Sequence, residues 1–324
     1  MSFPRASVVV PTFDRPALIR RCLEALCAQE WREGRFEVIV VDDGHSDEVR
    51  RIVESASRPD ADFVYRRSSR RASGPAAARN IGWRLARAPV VAFTDDDCIP
   101  QTSWLLSGME ALRDGAAGAW GHVIVPLGPE PTDYELDAAG LEHAPFATAC
   151  CFYRREALEA VSGFDERFTL AWREDSDLHF SMLESGMRLV RAPATAVVIH
   201  PVSAAPWGVS LRQQKKTQFE ALLYRKHPLL YRRRIRRRPT WSYYAMVAAG
   251  IAAAAAVMLH QTGASTAALG AWGFLTARFC ARRLEGASRR PLHLAEMALT
   301  TPIIPPLSIF WRLVGAIRFG AFVP

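Results

Sequence analysis

Val90-Val91-Ala92-Phe93-Thr94-Asp95-Asp96-Asp97 carries four apolar residues straight into three carboxylates. The apolar part reads as a buried strand. The acidic part reads as the strand's end, where adjacent carboxylates repel unless a cation or hydrogen-bond donors offset them. Three similar runs precede it: Ser7-Val8-Val9-Val10, ended by Pro11, then Val38-Ile39-Val40-Val41, then the short Phe63-Val64-Tyr65. Between them the spacing predicts helices over 16–28, 47–56 and 75–85. Continuous apolar strands alternating with helices predict an α/β fold with a mostly parallel sheet covered on both faces. Ligands of such sheets sit beyond the carboxyl ends of the strands. Thr12 and Asp14, Asp42 and Asp43, and Asp95 to Asp97 all fall there.

An isolated Asp-Asp-Asp is most simply a solvated turn, but the end of a fourth parallel strand weakens that reading. Residues two apart in a strand share a face, so Asp95 and Asp97 are expected to point together. An oxygen-only site suits Mg²⁺ or Mn²⁺, which keep waters and bind a substrate's phosphates. The donor implied is a nucleotide diphosphate.

The 324 residues are 49% hydrophobic and 23% charged, a globular composition. The formal net charge of +8 conceals an asymmetry. Residues 1–211 hold 23 Lys/Arg against 30 Asp/Glu, a balance of −7, and residues 212–324 hold 18 against 3, a balance of +15. A uniformly basic nucleic-acid binder is excluded by that division. Six cysteines form no CxxC pair and no zinc spacing. Met1 to Arg5 lacks the layout of a signal peptide, so reduced thiols and a cytosolic start are expected.

From Pro239 to Ala277 there is no Asp, Glu, Lys or Arg. Tyr243–Leu259 and Ala264–Ala277 are apolar and each approaches the roughly 17–20 residues that cross a bilayer. A pair of Ala-rich soluble core helices is the alternative. The flanks favour a membrane hairpin: Arg232–Arg234 and Arg236–Arg238 precede it, and Arg278, Arg282, Arg283, Arg289 and Arg290 follow. Trp241, Tyr243 and Tyr244 stand where an interfacial aromatic belt would. Leu307–Phe319 suits an interfacial helix, with Pro302, Pro305 and Pro306 breaking the stretch before it. The arginine run is read as binding anionic membrane lipid, with no nucleic acid as partner.

Residues 7–15, Ser7-Val8-Val9-Val10-Pro11-Thr12-Phe13-Asp14-Arg15, resemble the opening strand and loop of family 2 glycosyltransferases, whose fold is GT-A. Val40-Val41-Asp42-Asp43-Gly44 resembles their second-strand signature, and residues 74–82, from Gly74-Pro75 to Arg79-Asn80-Ile81-Gly82, their helix before the metal strand. Phe93-Thr94-Asp95-Asp96-Asp97 occupies the place of their DxD motif. Gly163-Phe164-Asp165-Glu166 and Glu174-Asp175-Ser176-Asp177-Leu178 resemble the acceptor-side loop and the ED motif. The resemblance covers roughly residues 5–200, with five motifs in order.

The resemblance implies sugar transfer from a nucleotide diphosphate-sugar donor, usually with inversion, using Mg²⁺ or Mn²⁺. It implies Asp175 as general base with Glu174 beside it. Asp97 is implied as direct metal ligand, with Asp95 near the ribose or metal and His200 as a further ligand. Pro11, Thr12, Asp14, Arg15, Asp43, Arg79, Asp95 and Asp96 are implied at the nucleotide-sugar pocket. Glu174 and Asp175 also read as an acidic cap on the helix that follows. His45 replaces the serine common after the family's DDG, and Asp14 stands where asparagine is frequent, so the nucleobase stays open. Gln213-Gln214-Lys215-Lys216-Thr217 is not the QxxRW motif of processive synthases.

The organisation expected is a GT-A catalytic domain over 1–210, a basic linker over 211–240, a transmembrane hairpin over 241–281 and a basic interfacial segment over 282–324. The C-terminal helical region is thus read as membrane-associated. The activity expected is transfer to a hydroxyl of a lipid-linked or membrane-associated glycan, at the cytoplasmic face of the inner membrane. A polyprenyl-phosphate acceptor is the alternative. A sugar nucleotidyltransferase is disfavoured because Pro11–Pro16 has no glycine. A non-catalytic nucleotide-sugar-binding protein has no reason to carry both the DxD and ED constellations.

Overall fold

Alternating burial explains why the first strands read as unbroken apolar runs. In β1 (Ala6–Thr12), Val8 and Val10 point into one core with Ile19, Leu23 and Phe36, while Val9 points into a second with Ile39, Ala78 and Trp83. Both faces are covered, so the middle of the strand is apolar on either side, and the buried Ser7 at its start is paired, donating to Glu37 at 2.6 Å. The computed structural model describes residues 3–145 and 147–323; Met1 and Ser2, where the leader reading began, lie outside them.

The first part of the chain runs α1 (Pro16–Cys27), β2 (Phe36–Asp42), α2 (Asp47–Ser55), β3 (Ala61–Arg67), α3 (Pro75–Leu85), β4 (Val90–Phe93), β5 (Ile99–Pro100), α4 (Trp104–Glu110), β6 (Gly118–Trp120) and β7 (His122–Ile124). After α5 (Asp133–Ala139) come β8 (Cys151–Arg154), α6 (Arg155–Ala160), α7 (Glu174–Glu184), β9 (Leu189–Arg191) and β10 (Val197–Ile199). Among the described residues the main sheet has seven strands in the order β3-β2-β1-β4-β8-β6-β9. The first four run parallel, with Val8 beside Val38 and Ala92. β8 is inserted antiparallel to both β4 and β6. Its four residues lack a β-branched run, so no sequence pattern announces it. A second sheet orders β5-β10-β7.

Pairing extends β1 through Pro11 to Thr12, because Pro11 needs only its carbonyl in the ladder. Gly82 brings α3 against β1. A Cβ there would lie 2.3 Å from Val9 Cγ1, so only glycine permits this approach. Asn80, two residues earlier, takes the Phe164 amide on its oxygen and donates to the Phe164 carbonyl and Glu166. The loop at 163–166 is thereby fastened to α3.

Contacts divide the chain into two units, each interrupted in sequence. The first is the chain up to Pro126 with Ala139–Val202; the second is Leu127–Ala138 with everything from Ser203 onward. The second is helical: α8 (Val209–Gln213), α9 (Phe219–Lys226), α10 (Pro228–Arg234), α11 (Trp241–Met258), α12 (Thr262–Arg283), α13 (Pro291–Thr300) and α14 (Ile304–Phe319). α11 and α12 pack antiparallel, with Trp272 against Gly250 and Phe279 5.3 Å from Tyr243 ring to ring. Of these two, α11 is long and apolar enough to cross a bilayer, with mean hydropathy 1.5; α12 carries Arg278, Arg282 and Arg283 in its last turns. The stretch before the last helix breaks as expected, between α13 and α14 and at Pro302, while Pro305 and Pro306 fall just after the break and open α14, where a missing N–H costs nothing. The early segment returns to this unit through an ion pair of Asp133 with Arg283 at 2.5 Å and of Glu130 with Arg290 at 2.8 Å.

Candidate active site

All the carboxylates singled out in the sequence lie in the first unit. β4 stops at Phe93, so strand alternation does not orient Asp95 and Asp97 as expected. A turn does, closed by the Cys98 amide donating to the Asp95 carbonyl at 3.1 Å. His200 follows β10 directly, its own amide donating to Ile124 at 2.8 Å. Asp95, Asp97, Cys98 and His200 each present one donor atom within 4.8 Å of the others. His200 Nε2 stands 3.4 Å from Asp97 Oδ1.

Cys98 is buried, and burial with Asp95 and Asp97 nearby pushes its thiol well up, away from the thiolate form. Two carboxylates and an imidazole remain. That donor set fits Mg²⁺ or Mn²⁺ and does not suit a thiolate-seeking metal. Burial, then the neighbouring Asp95, also push the Asp97 carboxyl up, a cost that a divalent cation relieves.

Asp96 faces inward and is 4% exposed. It accepts the Thr12 hydroxyl at 2.7 Å and Arg15 Nη1 at 3.2 Å, and Arg15 also reaches Asp97 at 3.3 Å. Burial raises its carboxyl to about 6 against the pull of Arg15 and Thr12. Thr12 and Asp96, both expected at the nucleotide-sugar pocket, therefore use these atoms on each other.

Asp43 is also drawn in. Its two oxygens accept from the Ser73 and Gly74 amides at 3.0 and 2.8 Å. Gly74 has φ +98°, a conformation that suits glycine and starts α3 below it. Asp14 pairs with Arg71, whose guanidinium lies over the Phe13 ring at 5.5 Å. Phe13 is 42% exposed, with Arg71 over its ring. His45, the departure noted after Asp43-Gly44, turns its ring to the Ser68 carbonyl at 3.0 Å.

α7 begins at Glu174 after Arg173 in left-handed conformation, and no side chain caps it. Glu174 and Asp175 stand in the first turn of α7, where the acidic cap was expected. The Glu174 carboxylate is buried and accepts Arg79 Nη1 at 3.1 Å. Asp175 is half-buried, with Oδ1 taking the Ser176 amide at 2.6 Å and hydroxyl at 3.2 Å. Burial pushes both carboxyls upward, and for Glu174 the charge of Asp175 adds to it. Arg79, expected on the nucleotide wall, is 3% exposed and bonds Asp95 at 2.6 Å as well as Glu174. Burial works against its charge, but Asp95 and Glu174 outweigh it and hold the guanidinium above its ordinary range. This link was not foreseen. An arginine inside Ala76-Ala77-Ala78-Arg79, on a helix face turned to the sheet, was the available signal, since a buried cation demands buried anions.

Comparison with known proteins matches the models Glycosyl transferase family 2 over residues 7–162 and Glycosyl transferase family group 2 over residues 132–281. Glycosyltransferase AglE of Haloferax volcanii is 31% identical over 225 residues, covering 66% of this chain and 71% of that one. A GalNAc(5)-diNAcBac-PP-undecaprenol beta-1,3-glucosyltransferase of Campylobacter jejuni is 29% identical over 122 residues; the match covers 38% of this chain and 39% of that one. Among solved structures, a mannosyltransferase of Pyrobaculum calidifontis in complex with GDP-Man and Mn²⁺ superposes with TM-score 0.56 at 21% identity, covering 98% and 88%. The parallel sheet, the motif order and these matches agree: the chain is a glycosyltransferase of GT-A fold and belongs to glycosyl transferase family 2.

Proposed function

We propose that the protein transfers a sugar, with inversion, from a nucleotide diphosphate-sugar to a hydroxyl of a lipid-linked or membrane-associated glycan. The observation that carries this reading is one buried arginine joining the Asp95–Asp97–His200 cluster to the Glu174–Asp175 pair. Asp175 takes the proton of the acceptor hydroxyl as that oxygen attacks the anomeric carbon and the bond to the diphosphate breaks. Its raised pKa makes it a stronger base than a solvated carboxylate. Asp95, Asp97 and His200 would hold Mg²⁺ or Mn²⁺, and the ion would supply positive charge against the departing diphosphate. Phe13 and Asp43 receive the nucleobase, with Pro11, Asp14 and Arg15 around it. Thr12 and Asp96 support this wall from behind.

The acceptor reading is supported by the Campylobacter relative, whose name gives a diphosphate-undecaprenol substrate. α11 rises about 27 Å at 1.5 Å per residue, and arginines bracket the α11–α12 hairpin, which supports a protein held in the inner membrane with both ends of the hairpin cytoplasmic. The excess of cations after residue 211 also suits a polyprenyl phosphate as acceptor. A phosphate needs no base, so Asp175→Asn separates the two: loss of transfer with donor binding intact means a hydroxyl, and modest loss means a phosphate. The test of the whole reading is incubation with a panel of nucleotide sugars and a lipid extract, assayed for free nucleotide diphosphate. Release that EDTA abolishes and Mn²⁺ restores is expected. No release from any donor, or full activity in EDTA, overturns it.

A further inference from the structure

Arg79 sits in the middle of α3 with its side chain enclosed. One arm of its guanidinium donates to Asp95 Oδ1 at 2.6 Å and another to Glu174 Oε1 at 3.1 Å, while its plane lies over the Phe164 ring at 5.8 Å. Its Nε has no hydrogen-bond partner, nor has Glu174 Oε2, and both atoms are buried. The arginine is thus not reaching out for a ligand. It bridges two carboxylates that are 79 positions apart in the chain, Asp95 and Glu174.

We infer that Arg79 is a positioning residue, a rigid strut that sets the place of the base Asp175 relative to the diphosphate-facing carboxylates through Glu174. Three facts require it. Glu174 and Asp175 are adjacent anions in the first turn of α7, whose N-cap residue Arg173 supplies no side-chain cap. A planar guanidinium is always charged and binds two carboxylates in a fixed fork. The catalytic base needs placement to a fraction of an ångström, since a displacement of about 1 Å costs about 10²-fold in rate. The inference rests on Asp175 being the base, as proposed above.

Lysine keeps the charge but is a point donor that cannot fork to both anions. For Arg79→Lys, kcat is expected to fall about 10²-fold. The KM for the donor, and the affinity for nucleoside diphosphate with Mn²⁺ by calorimetry, are expected to stay within about threefold of the natural protein. A direct donor contact would give the reverse, a raised KM and weakened nucleotide binding with kcat kept, and that result overturns the strut. Should Arg79→Lys fail to fold, the double variant Arg79→Met with Glu174→Gln removes both fully buried charges and leaves only the partly exposed Asp95 without its partner. A folded double variant with low kcat and normal nucleotide affinity supports the strut; one with natural kcat overturns it. Asp175→Asn, assayed in parallel, keeps the two ideas apart. If it stays active the base assignment falls, whereas if it is dead while Arg79→Lys is unchanged only the strut falls.

Discussion

Three consecutive aspartates divide their work because one turn sets Asp95 and Asp97 beside His200 and turns Asp96 inward. Asp97 faces His200, Asp95 takes Arg79, and Asp96 is locked to Thr12 and Arg15. Asp97→Ala is expected to lower turnover by at least about 10²-fold with little change in thermal midpoint. Asp96→Ala leaves the Thr12 hydroxyl without its acceptor in a buried site and is expected to cost about 1–3 kcal/mol of stability. Activity and melting measured on both variants check this, and equal losses of turnover without destabilisation would contradict it. The base makes a pH prediction. A protonated Asp175 cannot accept a proton, and burial raises its pKa, so the pH at which activity appears moves up with it. The acidic limb of kcat/KM is expected above the ordinary carboxylate range of about 4. A limb at about 4 would show a solvated base.

At the level of elements, α3 is the part that joins fold to site. Gly82 seats it on β1, Asn80 holds the 163–166 loop, Arg79 ties α7 to the turn after β4, and Gly74 starts it over Asp43. Gly82→Ala puts a methyl 2.3 Å from Val9 Cγ1, and is expected to destabilise by about 1–3 kcal/mol. Chemical denaturation checks it, and Val9→Ala in the same chain should recover part of the loss. The parallel strands and α3 were legible in the sequence because doubly buried runs and a Gly-Pro start leave an unambiguous pattern. β8 was not, since an antiparallel insertion of four residues has no period to show. The site was legible as a set of carboxylates at strand ends. The split between them was legible too, since Asp95 and Asp97 come together with His200 and Asp96 turns inward, although a turn and not the strand achieves it; the partners of Asp96 were not, because no spacing relates Thr12 to a turn 84 residues later.

For the whole molecule, the acidic first unit and the basic helical second unit correspond to the charge division in the sequence. The proposed anchor predicts that the intact protein stays with membranes through a wash in about 1 M salt, where the Debye length is about 3 Å. Arginine–lipid attraction is screened there and apolar burial is not. Release by salt alone would leave a peripheral enzyme. The interrupted units have a temporal consequence. Asp133 is paired with Arg283, 150 residues later. At about 5–20 residues per second the ribosome delivers Arg283 roughly 8–30 seconds after its partner. For that interval Leu127–Ala138 waits for the part of its unit that begins at Ser203, and the tempo of translation between those codons sets how long a chaperone or a protease has to find it.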